Sequence, residues 1–217
     1  MPDPSNLQPE FKYFSAEVFT NVYDGVNQIK MPKSLMILGF SNDKDAAIPV
    51  RHDNYIFRRE VLRDLLAFLR KPNGDALFIT GPTGSGKTSV VNEVCARLNW
   101  PVQLLTLNNR FEFSQLTGHF TYSSQKEGGA PEMTFQYGPL AKAMKYGHVL
   151  VLNEIDLADA GELAGLNDVL EGRPLVLADN AGEIIHPHPL FRVVATANSC
   201  GNGDGTGRYM GVQQLSL

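Results

Sequence analysis

The chain has 217 residues, of which 43% are hydrophobic and 19% charged, a globular balance that excludes a disordered or low-complexity protein. That length suits one sizeable α/β domain, with or without a short extension. The net charge of −4 argues against nucleic acid as the main ligand, because phosphate contacts supply most of that affinity and call for a basic surplus.

Positions 1–10 are rich in Pro, Asn and Ser and read as a loose arm without the apolar core of a signal peptide. Phe11 to Phe40 carries scattered aromatics and the apolar run Leu35-Met36-Ile37-Leu38, consistent with a small N-terminal subregion. Ser41 to Ala47 reads as a solvated linker, so 1–47 is expected to be an extension and 48–217 the core domain. Between Arg58 and Lys71 the apolar residues Val61, Leu62, Leu65, Leu66, Phe68 and Leu69 recur with a helical period, and Pro72-Asn73-Gly74 stops the helix. Ala76 to Thr80 is a short apolar run between turn signals, which fits a buried parallel strand. Lys87 to Leu98 follows as a helix burying Val90, Val91, Val94 and Leu98. Pro101 to Leu107, Val149 to Leu152 and Val193 to Ala197 supply three more strands, with helices expected around Gly138 to Lys145 and Gly161 to Leu170.

His119 to Thr134, full of Gly, Ser and polar residues, reads as a mobile loop, and Ala178 to Glu183 as the turn of a β-hairpin. Strands alternating with helices imply parallel pairing and a layered α/β fold. Cys95 falls inside a helix and Cys200 in a Gly-rich loop without metal-type spacing, so both are expected to be reduced thiols. No window approaches a membrane span, and the cytoplasm is the expected compartment.

Gly81-Pro82-Thr83-Gly84-Ser85-Gly86-Lys87-Thr88 matches G-x-x-x-x-G-K-[ST]. It follows a predicted strand and opens a predicted helix, as the chemistry of a phosphate-binding loop demands. The glycines let the backbone curl so that successive N–H groups point at phosphate oxygens, and the helix N-terminus adds its partial positive charge. Lys87 is expected to reach the β- and γ-phosphates of ATP, and Thr88 to offer its hydroxyl to Mg²⁺. The apolar strand Val149-Leu150-Val151-Leu152 then ends in Asn153-Glu154. Glu154 stands where a carboxylate would act as general base or orient the attacking water. Asn153 occupies the position at which a carboxylate normally holds Mg²⁺ through its waters. An amide accepts from such a water without contributing charge, so weaker Mg²⁺ binding and slow hydrolysis are expected.

With both motifs placed, the chain from about Ile48 onward resembles the AAA+ ATPases, and more narrowly the MoxR/CobS group that includes the ATPase subunit of cobalt chelatase. The resemblance is carried by Ala96-Arg97-Leu98-Asn99-Trp100-Pro101, by Tyr137-Gly138-Pro139-Leu140, by His188-Pro189-Leu190-Phe191-Arg192-Val193-Val194-Ala195-Thr196-Ala197-Asn198 and by the loop Gly201 to Gln214. It implies a P-loop NTPase fold, three-layer α/β/α around a parallel sheet, and a homo-oligomeric ring, usually a hexamer. It also implies a remodelling activity, often with a partner bearing a von Willebrand factor A domain.

On this resemblance Asn198 is the sensor residue at a strand tip, holding the lytic water. Asn108 either restrains the catalytic glutamate or serves a turn. Asn54 to Phe57 would lie near the adenine. The chain ends at Leu217, before the arginine finger, the last core strand and the helical lid that the family supplies, so poor hydrolysis by this chain alone is expected. Arg208 reads as an exposed loop arginine, and His186-Pro187-His188-Pro189 lacks the further ligands of a metal site. Two other functions stay open: a nucleotide-gated assembly scaffold with little hydrolysis, and a nucleic-acid-directed AAA+ motor.

Overall fold

The fold comes from a computed structural model of the chain, which describes residues 11–72, 74–123 and 132–198. The expectations for the arm at 1–10, for Cys200, for the loop Gly201 to Gln214 and for its Arg208 fall outside the described residues. The chain divides into two compact units, one formed by 1–73 and 84–102, the other by 74–83 and 103–217.

The first unit opens with short strands β1 (Phe11–Ser15), β2 (Val22–Tyr23), β3 (Gln28–Ile29), β4 (Met36–Phe40) and β5 (Phe57–Arg58). β1 pairs antiparallel with β4, setting Phe11 opposite Phe40. β2 lies between β3, antiparallel to it, and β5, parallel to it. Helix α1 (Arg59–Arg70) buries Leu62, Leu65, Leu66 and Leu69, the stripe that the helical period predicts, and ends just before Pro72. Helix α2 (Lys87–Arg97) buries Val90, Val91 and Val94 as expected, and Glu93 and Arg97 besides.

Those two charges tolerate burial because they satisfy each other one helical turn apart. The other carboxylate oxygen of Glu93 meets the His52 ring, the second Arg97 nitrogen donates to the His52 carbonyl at 2.9 Å, and the guanidinium stacks over Phe57. Burial alone would push the Glu93 carboxyl up, but the hydrogen bonds from Arg97 and His52 outweigh it and hold the group below its ordinary range. Ser41 to Ala47 is pinned by a turn in which Asp45 Oδ1 accepts from the Ala47 amide at 2.8 Å.

The second unit carries β6 (Leu77–Thr80), all but the first residue of β7 (Val102–Thr106), α3 (Ser114–Thr117), β8 (Gly118–Ser123), β9 (Glu132–Tyr137), α4 (Pro139–Tyr146), β10 (Val149–Asn153), α5 (Ala160–Leu163), α6 (Asn167–Leu170), β11 (Leu175–Leu177), β12 (Glu183–Ile185) and β13 (Arg192–Ala197). Its main sheet has the order β6-β13-β10-β7. β10 runs parallel to β13 with Val149 opposite Arg192, and β13 parallel to β6 with Val194 opposite Leu77. The two central strands are buried almost throughout, as near-continuous apolar runs in a parallel sheet should be. The fold is the P-loop α/β class expected from the sequence. Leu140, Ala141, Ala143 and Met144 of α4 pack with Leu150, Leu152, Val193 and Ala195 of the sheet into one core.

One local expectation is corrected. His119 to Thr134 is not loop throughout: β8 and β9 pair antiparallel from Gly118 opposite Tyr137 to Ser123 opposite Glu132. The alternating Phe120, Tyr122, Met133, Phe135 and Tyr137 supply cross-strand pairs such as the edge-to-face contact of Phe120 with Phe135, 5.3 Å between centroids. The helical stretch expected around Gly161 to Leu170 is present as α5, a 3₁₀ turn at Ala164–Leu166, and α6. Gly161 and Gly165 weaken a continuous helix, and a Cβ on Gly165 would stand 2.7 Å from the Phe113 ring. The hairpin around Ala178 to Glu183 is present as β11 and β12, with Ala181 and Gly182 both at positive φ in its turn.

Tyr137, Lys145 and Glu183 join β9, α4 and β12. Lys145 Nζ donates to Glu183 at 3.0 Å and to the Tyr137 hydroxyl at 3.1 Å, and that hydroxyl donates to Glu183 at 2.6 Å. Burial works against the charge on Glu183, yet the donors from Tyr137 and Lys145 hold its carboxyl below the usual value.

Candidate nucleotide site

In the second unit, β6 hands over to Gly81, whose amide donates to the Ala197 carbonyl at 3.3 Å at the end of the neighbouring β13. Exposed Thr83 donates its hydroxyl to Asn198 Oδ1 at 3.2 Å. The first half of the glycine loop is therefore tied to the tip of the strand that bears the expected sensor residue.

In the first unit the loop continues through Gly84 and Gly86, with φ of 78° and 87°. Both are left-handed, a conformation glycine takes without strain. A Cβ placed on either would meet no heavy atom within 4 Å, so the outer side of this segment is open. Gly86 caps α2 and accepts from the Val90 amide at 3.0 Å, while that helix end has no side-chain cap and no acidic residue in its first turn. Lys87 and Thr88 are the first two residues of α2. Backbone donors of a first helical turn, a lysine ammonium and a hydroxyl form a donor set that fits phosphate, and the Thr88 hydroxyl fits Mg²⁺.

Asn153 and Glu154 stand at the carboxyl end of β10, in the second unit with Asn198. Asn153 Oδ1 accepts from the Thr196 hydroxyl at 2.6 Å, and its Nδ2 donates to the Thr106 hydroxyl at 3.4 Å. Its carbonyl accepts from the Leu107 amide at 2.8 Å. Glu154 adopts φ 57°, ψ 46°, left-handed for a residue with a side chain, and its amide donates to the same Thr196 hydroxyl at 3.4 Å. Asp156, fully buried, accepts from the Asn198 amide at 3.1 Å. Asn108 caps a turn after β7, its Oδ1 accepting from the Arg110 amide at 2.8 Å.

The sheet thus gathers Thr83, Asn153, Glu154 and Asn198 at the carboxyl ends of β6, β10 and β13. The sequence reading missed Thr196 and gave Asp156 no site role. Thr196 had a signal, since it is the single polar residue within Val193 to Ala197, but a threonine in a strand is also what β-propensity favours. His188 is engaged locally: its Nδ1 accepts from the Leu190 amide at 3.0 Å, and burial, with the nearby Arg192 charge, lowers its pKa.

Residues 76–208 match the family model described as the AAA domain of the dynein-related subfamily, and the chain belongs to that family. Among curated proteins it is similar to the aerobic cobaltochelatase subunit CobS of a Sinorhizobium species. The two are 31% identical over 172 residues, 79% of this chain and 51% of that protein. An uncharacterized protein of Staphylococcus saprophyticus is 34% identical over 145 residues, 67% of this chain and 54% of its own length. The chain spans about half the length of these relatives. Among solved structures, that of a candidate ATPase from Cytophaga hutchinsonii aligns with a TM-score of 0.53 at 16% identity, covering 72% of this chain and 41% of the other, and speaks to the fold alone. Among the described residues no helix is long and apolar enough to cross a membrane.

Proposed function

We propose that this chain binds ATP with Mg²⁺ through Gly81, Pro82, Thr83, Gly84, Ser85, Gly86, Lys87 and Thr88 and hydrolyses it as one subunit of a homo-oligomeric ring, coupling turnover to the remodelling of a partner protein. The observation that carries this reading is the gathering of Glu154, Asn153 and Asn198 with Thr83 of the glycine loop at the carboxyl ends of adjacent strands. Lys87 and the loop amides hold the β- and γ-phosphates. Thr88, and Asn153 through a water, hold the magnesium, which when bound offsets the negative charge that develops on the phosphates. Glu154 accepts a proton from the attacking water or orients it, and Asn198 steadies that water. Asn108 Oδ1 holds the turn after β7, so a restraint of Glu154 by Asn108 in the empty site falls to its side-chain nitrogen, which can donate to the carboxylate.

Residues 48–217 form the ATPase core in this reading, the ring is a hexamer, and the chain works in the cytoplasm. CobS is a subunit of a cobalt-inserting enzyme, and the likeness to it supports assistance to metal insertion, with a von Willebrand factor A-domain protein as partner. A second reading, an assembly scaffold that binds nucleotide and scarcely hydrolyses it, is favoured by the Asn153 amide oxygen, which already accepts from Thr196. Two variants test the site. Lys87→Ala is expected to abolish nucleotide binding. Glu154→Gln is expected to keep binding while turnover falls by about 10²- to 10⁴-fold. Unchanged turnover in Glu154→Gln would remove Glu154 from its role.

A further inference from the structure

Glu154 holds a backbone conformation that its side chain disfavours. Such a residue persists only where its surroundings fix it. One of its anchors is a hydroxyl buried in the sheet. Thr196 is 0% exposed and lies on β13, the strand beside β10. Its Oγ1 serves two neighbours at once, donating to Asn153 Oδ1 at 2.6 Å and accepting from the Glu154 amide at 3.4 Å. The directions are mutually consistent. A hydroxyl has one proton and two lone pairs, so giving the proton to Asn153 leaves a lone pair for Glu154. Asn153 extends the chain to β7 by donating Nδ2 to the Thr106 hydroxyl at 3.4 Å. Two residues beyond Thr196, Asn198 receives the Thr83 hydroxyl and gives its own amide to Asp156.

We propose that Thr196 is a positioning residue for the ATPase reaction. Its hydroxyl clamps the Asn153-Glu154 turn so that the Glu154 carboxylate keeps its aim, and it couples that turn to the strand ending in Asn198. This inference rests on the proposed role of Glu154. A hydroxyl is required, because valine has the same shape but neither the proton for Asn153 nor the lone pair for Glu154. Serine keeps both. Thr196 touches no reacting group, so its loss acts on the catalytic step and leaves nucleotide affinity in place.

The experiment compares wild type, Thr196→Val, Thr196→Ser and Glu154→Gln as full chains, measuring ATP affinity, ATP turnover and hydrogen exchange of the Glu154 amide. In Thr196→Val the Glu154 amide is expected to exchange faster, affinity to stay within about twofold, and turnover to fall by up to about 10²-fold, the scale of a small misplacement at a reacting centre. Thr196→Ser is expected to restore both exchange and turnover. Unchanged exchange in Thr196→Val would overturn the clamp, and that readout holds even where turnover is too low to follow. Faster exchange with wild-type turnover would overturn the catalytic role, as would equal loss of affinity and turnover in Thr196→Val. If Glu154→Gln keeps wild-type turnover, the failure belongs to the ATPase assignment and not to Thr196.

Discussion

Asn153 is the residue at which this site departs most from what a magnesium nucleotide asks for. Its amide oxygen takes the Thr196 hydroxyl and its nitrogen serves Thr106, so it works first as a cross-strand tie over β7, β10 and β13. A carboxylate there would still accept from both hydroxyls, since each can rotate its proton, and would add a negative charge for the metal. Asn153→Asp is therefore expected to lower the Mg²⁺ concentration needed for half-maximal nucleotide binding several-fold, read by a Mg²⁺ titration at fixed ATP. An unchanged titration would show that position 153 does not face the metal. The glycine loop and the Asn153-Glu154 pair were legible because their chemistry fixes their spacing and context. Thr196 and Asp156 were not, because a buried threonine or aspartate declares its purpose only through partners from other strands, and those partners are 40 or more residues away in sequence.

Among the elements, α4 packs with β10 and β13 into the hydrophobic core of the second unit. Met144 is fully buried in that core. Met144→Ala is expected to cost about 2–5 kcal/mol of unfolding free energy, measured by urea denaturation. The junction of β9, α4 and β12 supplies a pH signature. The Glu183 carboxyl titrates below its ordinary value of 4.5 in the folded chain. Its stabilisation is complete above that value and is lost as pH falls through the lower folded value. The thermal midpoint is thus expected to drop on acidification below about 4.5, and Glu183→Gln to flatten part of that drop. An identical acid profile in the variant would show that Glu183 carries none of it.

The elements that the sequence concealed share a physical cause. The Gly and Ser content of the stretch before β9 masked an alternation of aromatics that makes two strands. The helical stretch at Gly161 to Leu170 was legible, and only its division into α5, a 3₁₀ turn and α6 was not. The apolar runs of β10 and β13 were plain, since a run of that length between turn signals is what a buried parallel strand presents.

For the whole molecule, the proposal is nucleotide-driven work by an assembly, and membership of the AAA family supports it. Transition-state charge on a transferred phosphoryl group is offset largely by cations, and a neighbouring subunit is the proposed source of one of them. A lone subunit would then be a poor catalyst and a loaded ring a good one. The most direct measurement is ATP turnover per chain against protein concentration, with saturating Mg²⁺. Turnover per chain is expected to rise steeply with concentration and to vanish in Glu154→Gln at every concentration. Turnover per chain that stays flat across that range would contradict a site completed between subunits.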